Sequence, residues 1–153
     1  MSQTEGNKSR IRELLAHMDA GRLNVIDEFY SPDYVDRAPT ALRSGPAGRD
    51  ALREAFRRIH DAFPDTVHIV EDLLAEGDRV AARITARGTF TRPLFGRVPT
   101  GQIVELTSVV IYRMANGRII ERWSSGHGLL EVLGISADGK AGDQPLEVSR
   151  RAP

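Results

Sequence analysis

Cysteine is missing from all 153 residues, which excludes disulfides, a thiol nucleophile and thiolate metal sites. Net charge is missing too: 21 Lys and Arg balance 21 Asp and Glu, so the overall field gives a polyanion nothing to follow and no nucleic-acid partner is expected. No apolar run is long enough to span a bilayer, and the polar stretch Met1 to Arg10 has no signal-peptide core. No membrane partner is therefore expected, and a cytoplasmic location follows as the default. The four histidines show neither His-x-His nor His-Glu-x-x-His spacing, so no metal site is expected. The glycine-containing segment 93–101 does not join a strand to a helix, so it is no phosphate loop and no cofactor is expected. No Gly-x-Ser-x-Gly elbow surrounds Ser108 or Ser124.

What is present fits one soluble globular domain, with 41% hydrophobic and 27% charged residues. Ile11, Leu14, Leu15 and Met18 recur at helical spacing, predicting a helix over about 8–19 closed by Gly21. Val25, Ile26 and Phe29 predict a short second helix stopped by Ser31-Pro32, followed by an irregular Pro- and Gly-rich stretch. Leu52, Ala55, Phe56, Ile59 and Phe63 draw one stripe on a helix over 49–62 that Pro64 closes. From Val67 the pattern changes to strands at 67–75, 80–90, 103–113 and 118–125, separated by Gly77-Asp78, the 93–101 loop and Asn116-Gly117. The expected fold is α+β: consecutive antiparallel strands form a curved sheet wrapped around N-terminal helices, a cone-shaped α+β barrel. Residues 1–134 are expected to form a single domain, and 135–153 a flexible C-terminal tail.

Several local matches occur in order: Tyr34-Val35-Asp36, Ala62-Phe63-Pro64-Asp65, Glu71 to Val80, Pro99-Thr100-Gly101, Ile111-Tyr112-Arg113 and Glu121-Arg122-Trp123. Together they span roughly 10–134, and the chain resembles the SnoaL-like polyketide cyclases of the nuclear-transport-factor-two-like cone fold. The resemblance implies a homodimer and a pocket between the concave sheet face and the N-terminal helices. It also implies cofactor-independent chemistry on a small apolar carbonyl compound. The family's usual aspartate base falls at Ser124 and its histidines at Val110 and Arg122, so all three are replaced. A lone serine or a protonated arginine cannot remove a carbon-bound proton near neutral pH.

Alternate residues on a strand share a face, so the register of the last hairpin decides what lines the cavity. A three-residue loop Ala115-Asn116-Gly117 would pair Met114 with Arg118, Val110 with Arg122 and Ser108 with Ser124. A two-residue Asn-Gly turn would set Val110 opposite Trp123. The first register is expected, because it keeps the family's acid-base positions on one face. Trp123 then lies on the other face, as core or dimer interface.

Asp36 is the substitute carboxylate, as a base beside Arg122; its alternative reading is a loop aspartate satisfying backbone amides before Pro39. Arg122 would bind a carboxylate or an oxyanion, or else be a cross-strand ion-pairing arginine. His127, between Gly126 and Gly128, would serve as a base needing no unusual pKa, or be a loop histidine at the sheet's end. Asp36, Arg122 and His127 are thus the candidate catalytic residues, and Tyr34, Ser108, Val110 and Ser124 the candidate substrate-binding ones. His17, His60 and His68 read as surface or half-buried structural residues.

Three functions remain open. One is an enzyme performing cyclisation, isomerisation or hydration, with an epoxide hydrolase as a variant that would want a second carboxylate in the pocket. Another is a noncatalytic small-molecule binder, and the third a dimeric scaffold module. The dimer is expected through the outer sheet face, where Val109, Ile111 and Ile119 would need cover.

Overall fold

The computed structural model describes residues 1–38, 47–126, 129 and 133. His127 and the expected tail at 135–153 lie outside the described residues. The chain runs α1 (Gln3–Asp19), α2 (Val25–Phe29), β1 (Tyr30–Asp36), α3 (Arg49–Ala62), β2 (Val67–Glu76), β3 (Arg79–Thr89), β4 (Ile103–Ala115) and β5 (Arg118–Gly126). This is the expected α+β cone, a curved five-stranded sheet in the order β1-β5-β4-β3-β2 with the N-terminal helices on its inner face. No described helix is long and apolar enough to cross a membrane.

Helix α1 begins five residues before the apolar stripe predicts, because Ser2 caps it and accepts a hydrogen bond from the Glu5 amide at 3.2 Å. That Ser-x-x-Glu pattern is a helix start that apolar periodicity does not register. The helix ends as Gly21 turns left-handed at φ 71° and its amide bonds the Met18 carbonyl at 2.9 Å. Ile11 and Leu14 are fully buried against Val80, Ala82 and Ile84 of β3, each contributing about 1.5–3 kcal/mol through area removed from water. Asp19 fastens the helix end to β2, accepting from the His68 amide at 3.1 Å and meeting His68 Nδ1 at 2.5 Å. Helix α3 has the predicted bounds, and Phe63 at its end stacks on Phe90 with ring centroids 5.1 Å apart.

Strand β1 is the element the sequence reading lacks, and it pairs parallel with β5 instead of extending the antiparallel meander. Its pairing jumps from Tyr30 opposite Ile119 to Val35 opposite Glu121, and Pro32 occupies the unpaired interval. Proline removes a ladder donor and disguises a strand in the sequence, yet a sheet-edge position tolerates it.

The β4-β5 register corrects the expected one. Asn116 and Gly117 both take positive φ, 51° and 74°, making the two-residue turn, so Ala115 pairs with Arg118 and Met114 with Ile119. The register then shifts at Ile120, an extra residue on β5, and beyond it Tyr112 faces Arg122, Val110 faces Ser124 and Ser108 faces Gly126. The tighter turn and the bulge each displace the expected pairs by one residue, two in all, which preserves the faces. Ser108, Val110, Arg122 and Ser124 share one side, and Trp123, opposite Ile111, lies on the other beneath the Arg79 guanidinium. Below the bulge the parity inverts. Ile119 is therefore fully buried in the core, while Val109 and Ile111 are 43% and 37% exposed on the outer face.

Candidate functional site

On the inner face, one row of the sheet runs Asp36, Arg122, Tyr112, Val80 and Ala75 through successive strand pairings. Arg122 Nη1 donates to Asp36 Oδ2 at 3.1 Å, with the carboxylate side chain 11% exposed and the arginine 25%. The other carboxylate oxygen, Oδ1, accepts from the Ala38 amide at 2.9 Å. Asp36 thus meets Arg122 with one oxygen and a backbone amide with the other, and it ends a strand instead of lying in a loop. The backbone clamps the pair as well: the Arg37 amide bonds the Arg122 carbonyl at 2.8 Å, and Asp36 exchanges two hydrogen bonds with Ala47.

Three tyrosines wall this pair. Tyr30, Tyr34 and Tyr112 are almost wholly buried, and the rings of Tyr30 and Tyr34 meet edge to face at 4.8 Å. Burial pushes the Tyr30 phenol up, with Tyr112 and Asp36 adding to the rise and Arg122 opposing it. Burial likewise raises Tyr34, reinforced by Tyr30 and Asp36. Tyr112 is raised by burial against the pull of Arg122, which also hydrogen-bonds it. All three phenols thus remain protonated donors around neutrality. For Arg122, burial pulls the guanidinium down, but Tyr112, Asp36, Tyr34 and Tyr30 hold it above its ordinary value, so it stays cationic.

The remaining expected site residues take several positions. Val110 is buried in the core between Ala82 and Ser124, while Ser108 and Ser124 are half-buried on the inner face. His17 lies edge-on to Phe29 and His60 edge-on to Phe56, both as structural contacts. Among the described residues, no group of three His, Asp or Glu is arranged to hold a metal. A surface depression of about 410 Å³ is lined by Ser31, Ala115, Asn116, Arg118 and Ile120 at the hairpin tip, and none of the Asp36-Arg122 surroundings contributes to it.

The sequence reading gives no site role to Tyr30 and Tyr112. Tyr112 was legible, since it alternates with Val110 and Ser108 on one strand; Tyr30 was hidden by the helix-end reading. On the opposite face, Glu121 bridges Arg113 at 2.8 Å and Arg37 at 2.9 Å, which depresses its carboxyl to about 2. That bracket joins β1, β5 and β4 behind the Asp36-Arg122 pair.

A family model described as SnoaL-like polyketide cyclase matches residues 9–129. Among solved structures, wild-type IdmH from Streptomyces antibioticus is 30% identical with a TM-score of 0.70, the match covering 78% of this chain and 90% of IdmH. AclR from Streptomyces galilaeus is 28% identical with a TM-score of 0.74, covering 82% and 77%. A candidate SnoaL-like polyketide cyclase from Jannaschia sp. CCS1, 22% identical, shares the fold at a TM-score of 0.74 over 90% and 96% of the two chains. No curated protein matches by sequence.

Proposed function

This chain belongs to the SnoaL-like polyketide cyclase family, and on that premise we propose that it is a cofactor-independent enzyme for a small, largely apolar carbonyl compound, with Asp36 and Arg122 as its reactive pair. The observation carrying this reading is the 3.1 Å contact of Arg122 with Asp36 on the inner face, among three protonated phenols. Each Asp36 oxygen holds one hydrogen bond and keeps a further lone pair, so the carboxylate can accept a proton from carbon. The electron pair released to the carbonyl oxygen becomes an enolate, which Arg122 stabilises electrostatically. Asp36 thereby takes over from the family aspartate whose position holds Ser124. Ser108 and Ser124 contribute polar contacts to the substrate, and Val110 an apolar one. IdmH is described as a candidate polyketide cyclase and AclR as a candidate hydroxylase, so the scaffold alone does not choose the reaction.

A noncatalytic binding protein is the second reading, favoured by the engagement of both Asp36 oxygens within the protein. Screening polyketide-like esters, diketones and epoxides for turnover separates the two. Turnover abolished by Asp36→Asn and strongly reduced by Arg122→Lys supports the enzyme; a ligand bound but never converted supports the binder. Full activity in both Asp36→Asn and His127→Gln removes the proposed bases. The outer face, exposing Ile69, Val109 and Ile111, is proposed to pair with a second copy of the chain.

A further inference from the structure

The surface depression at the tip of the β4-β5 hairpin has its cause in the strand pairing. On one side the β1-β5 ladder passes from Tyr30 opposite Ile119 to Val35 opposite Glu121, and on the other the β4-β5 ladder passes from Met114 opposite Ile119 to Arg113 opposite Glu121. Both ladders skip Ile120. Two interruptions thus meet at one residue, and the depression of about 410 Å³ opens there, lined by Ser31, Ala115, Asn116, Arg118 and Ile120. Helix α1 holds its frame, because Arg10 Nε donates to the Gly117 carbonyl at 3.1 Å. Three polar groups around the depression have bonding capacity to spare. Most described arginines meet a carboxylate, but the Arg118 guanidinium has neither an ion pair nor a hydrogen bond among the described residues. The Asn116 side-chain amide is likewise unengaged among them. The Ser31 hydroxyl oxygen accepts from the Asp33 amide at 3.2 Å, which leaves its proton to donate. Beside these donors lie half-buried Ala115 and Ile120, and the lining holds one cation and no acid.

We propose that this depression binds a small carboxylate carried on a compact apolar group, such as an aromatic or branched-chain acid. The planar fork of Arg118 receives the carboxylate, the Asn116 amide and Ser31 hydroxyl donate from its flanks, and the apolar body lies on Ala115 and Ile120. The volume falls within the range of small-molecule pockets, about 300–1,000 Å³. Neither Asp36 and Arg122 nor the tyrosines line the depression, so the inference is independent of the enzyme reading.

Benzoate is the probe, with benzamide as its neutral counterpart and formate as a carboxylate without the apolar body. Titration followed by proton-nitrogen NMR of labelled protein reports affinity and place together. Wild type is expected to bind benzoate more tightly than either counterpart, with the largest shifts at Ser31, Asn116, Arg118 and Ile120. Arg118→Gln is expected to weaken benzoate binding by about tenfold or more, the usual effect of a lost hydrogen bond between charged groups. It should leave the melting temperature unchanged, since Arg118 has no described partner to lose. Asn116→Gly, which accommodates the positive φ, is expected to weaken binding about fivefold. Arg92→Gln, which removes an exposed arginine outside the depression, is expected to change nothing. Unchanged affinity in Arg118→Gln, equal weakening in Arg92→Gln, or benzamide or formate binding as tightly as benzoate overturns the inference. So does benzoate that shifts the inner-face residues Tyr112 and Ser124 instead, or wild type that binds none of the three.

Discussion

Replacing Arg122 with methionine leaves the Asp36 carboxylate on the inner face with the Ala38 amide as its remaining described side-chain partner. Methionine fills a comparable volume and restores none of the charge. Breaking one side of a buried ion pair costs about 3–5 kcal/mol, because the surviving charge stays desolvated. Arg122 is one quarter exposed and some water reaches the pair, which places the expected loss at the lower end, about 3 kcal/mol. In a domain of this size, that lowers the melting temperature by about 6–12 °C. The assay is urea unfolding followed by circular dichroism, with unchanged m-value as the check that only stability moved. Asp36→Asn combined with Arg122→Met should recover part of the loss, since no unpaired charge then remains. A loss under about 1 kcal/mol for Arg122→Met would mean that the pair behaves like a solvated surface contact, and the reasoning would be wrong.

Glu121 supplies the pH prediction. Its carboxyl is held at about 2, below the ordinary 4.5, first by the hydrogen bond from Arg113 and then by that from Arg37. A depressed carboxylate stabilises the fold above its unfolded value and loses that contribution as pH falls toward about 2. Wild type should thus be more stable than Glu121→Gln at neutral pH and approach it on acidification, measured by melting curves between neutrality and pH 2. Gly21→Ala should destabilise by about 1–2 kcal/mol, since alanine resists positive φ. Its Cβ would also stand 2.4 Å from His60 Nε2. A cost near zero in urea titration would reject the left-handed helix end. Val109→Asp with Ile111→Asp should convert a dimer into a monomer without lowering the helix content; sedimentation showing wild type already monomeric at micromolar concentration would dismiss the outer-face association.

Helix α3 and the four antiparallel strands were legible because their apolar period is regular and bounded by Pro64, Gly77-Asp78 and Asn116-Gly117. Strand β1 was not, since Pro32 and Asp33 read as loop chemistry and only pairing to β5 makes the segment extended. The bulge at Ile120 also carries no sequence mark: isoleucine fits a regular strand equally well. The inner-face assignments of Arg122 and Ser124 survived because a shift of two residues conserves parity, while Ile119, on the near side of the bulge, changed faces. The Asp36-Arg122 contact itself was foreseen from family positions, and the tyrosine wall around it required the parallel strand.

The decisive measurement is deuterium exchange at the α-carbon of a polyketide-like keto ester in heavy water, followed by proton NMR with and without the protein. Abstraction by a base and return of a deuteron from solvent exchanges the position whether or not the later step of the reaction occurs. The Asp36-Arg122 pair predicts accelerated exchange by wild type, lost in Asp36→Asn and strongly slowed in Arg122→Lys. Exchange that persists undiminished in Asp36→Asn, or wild type that leaves the background rate unchanged, would contradict Asp36 as the base.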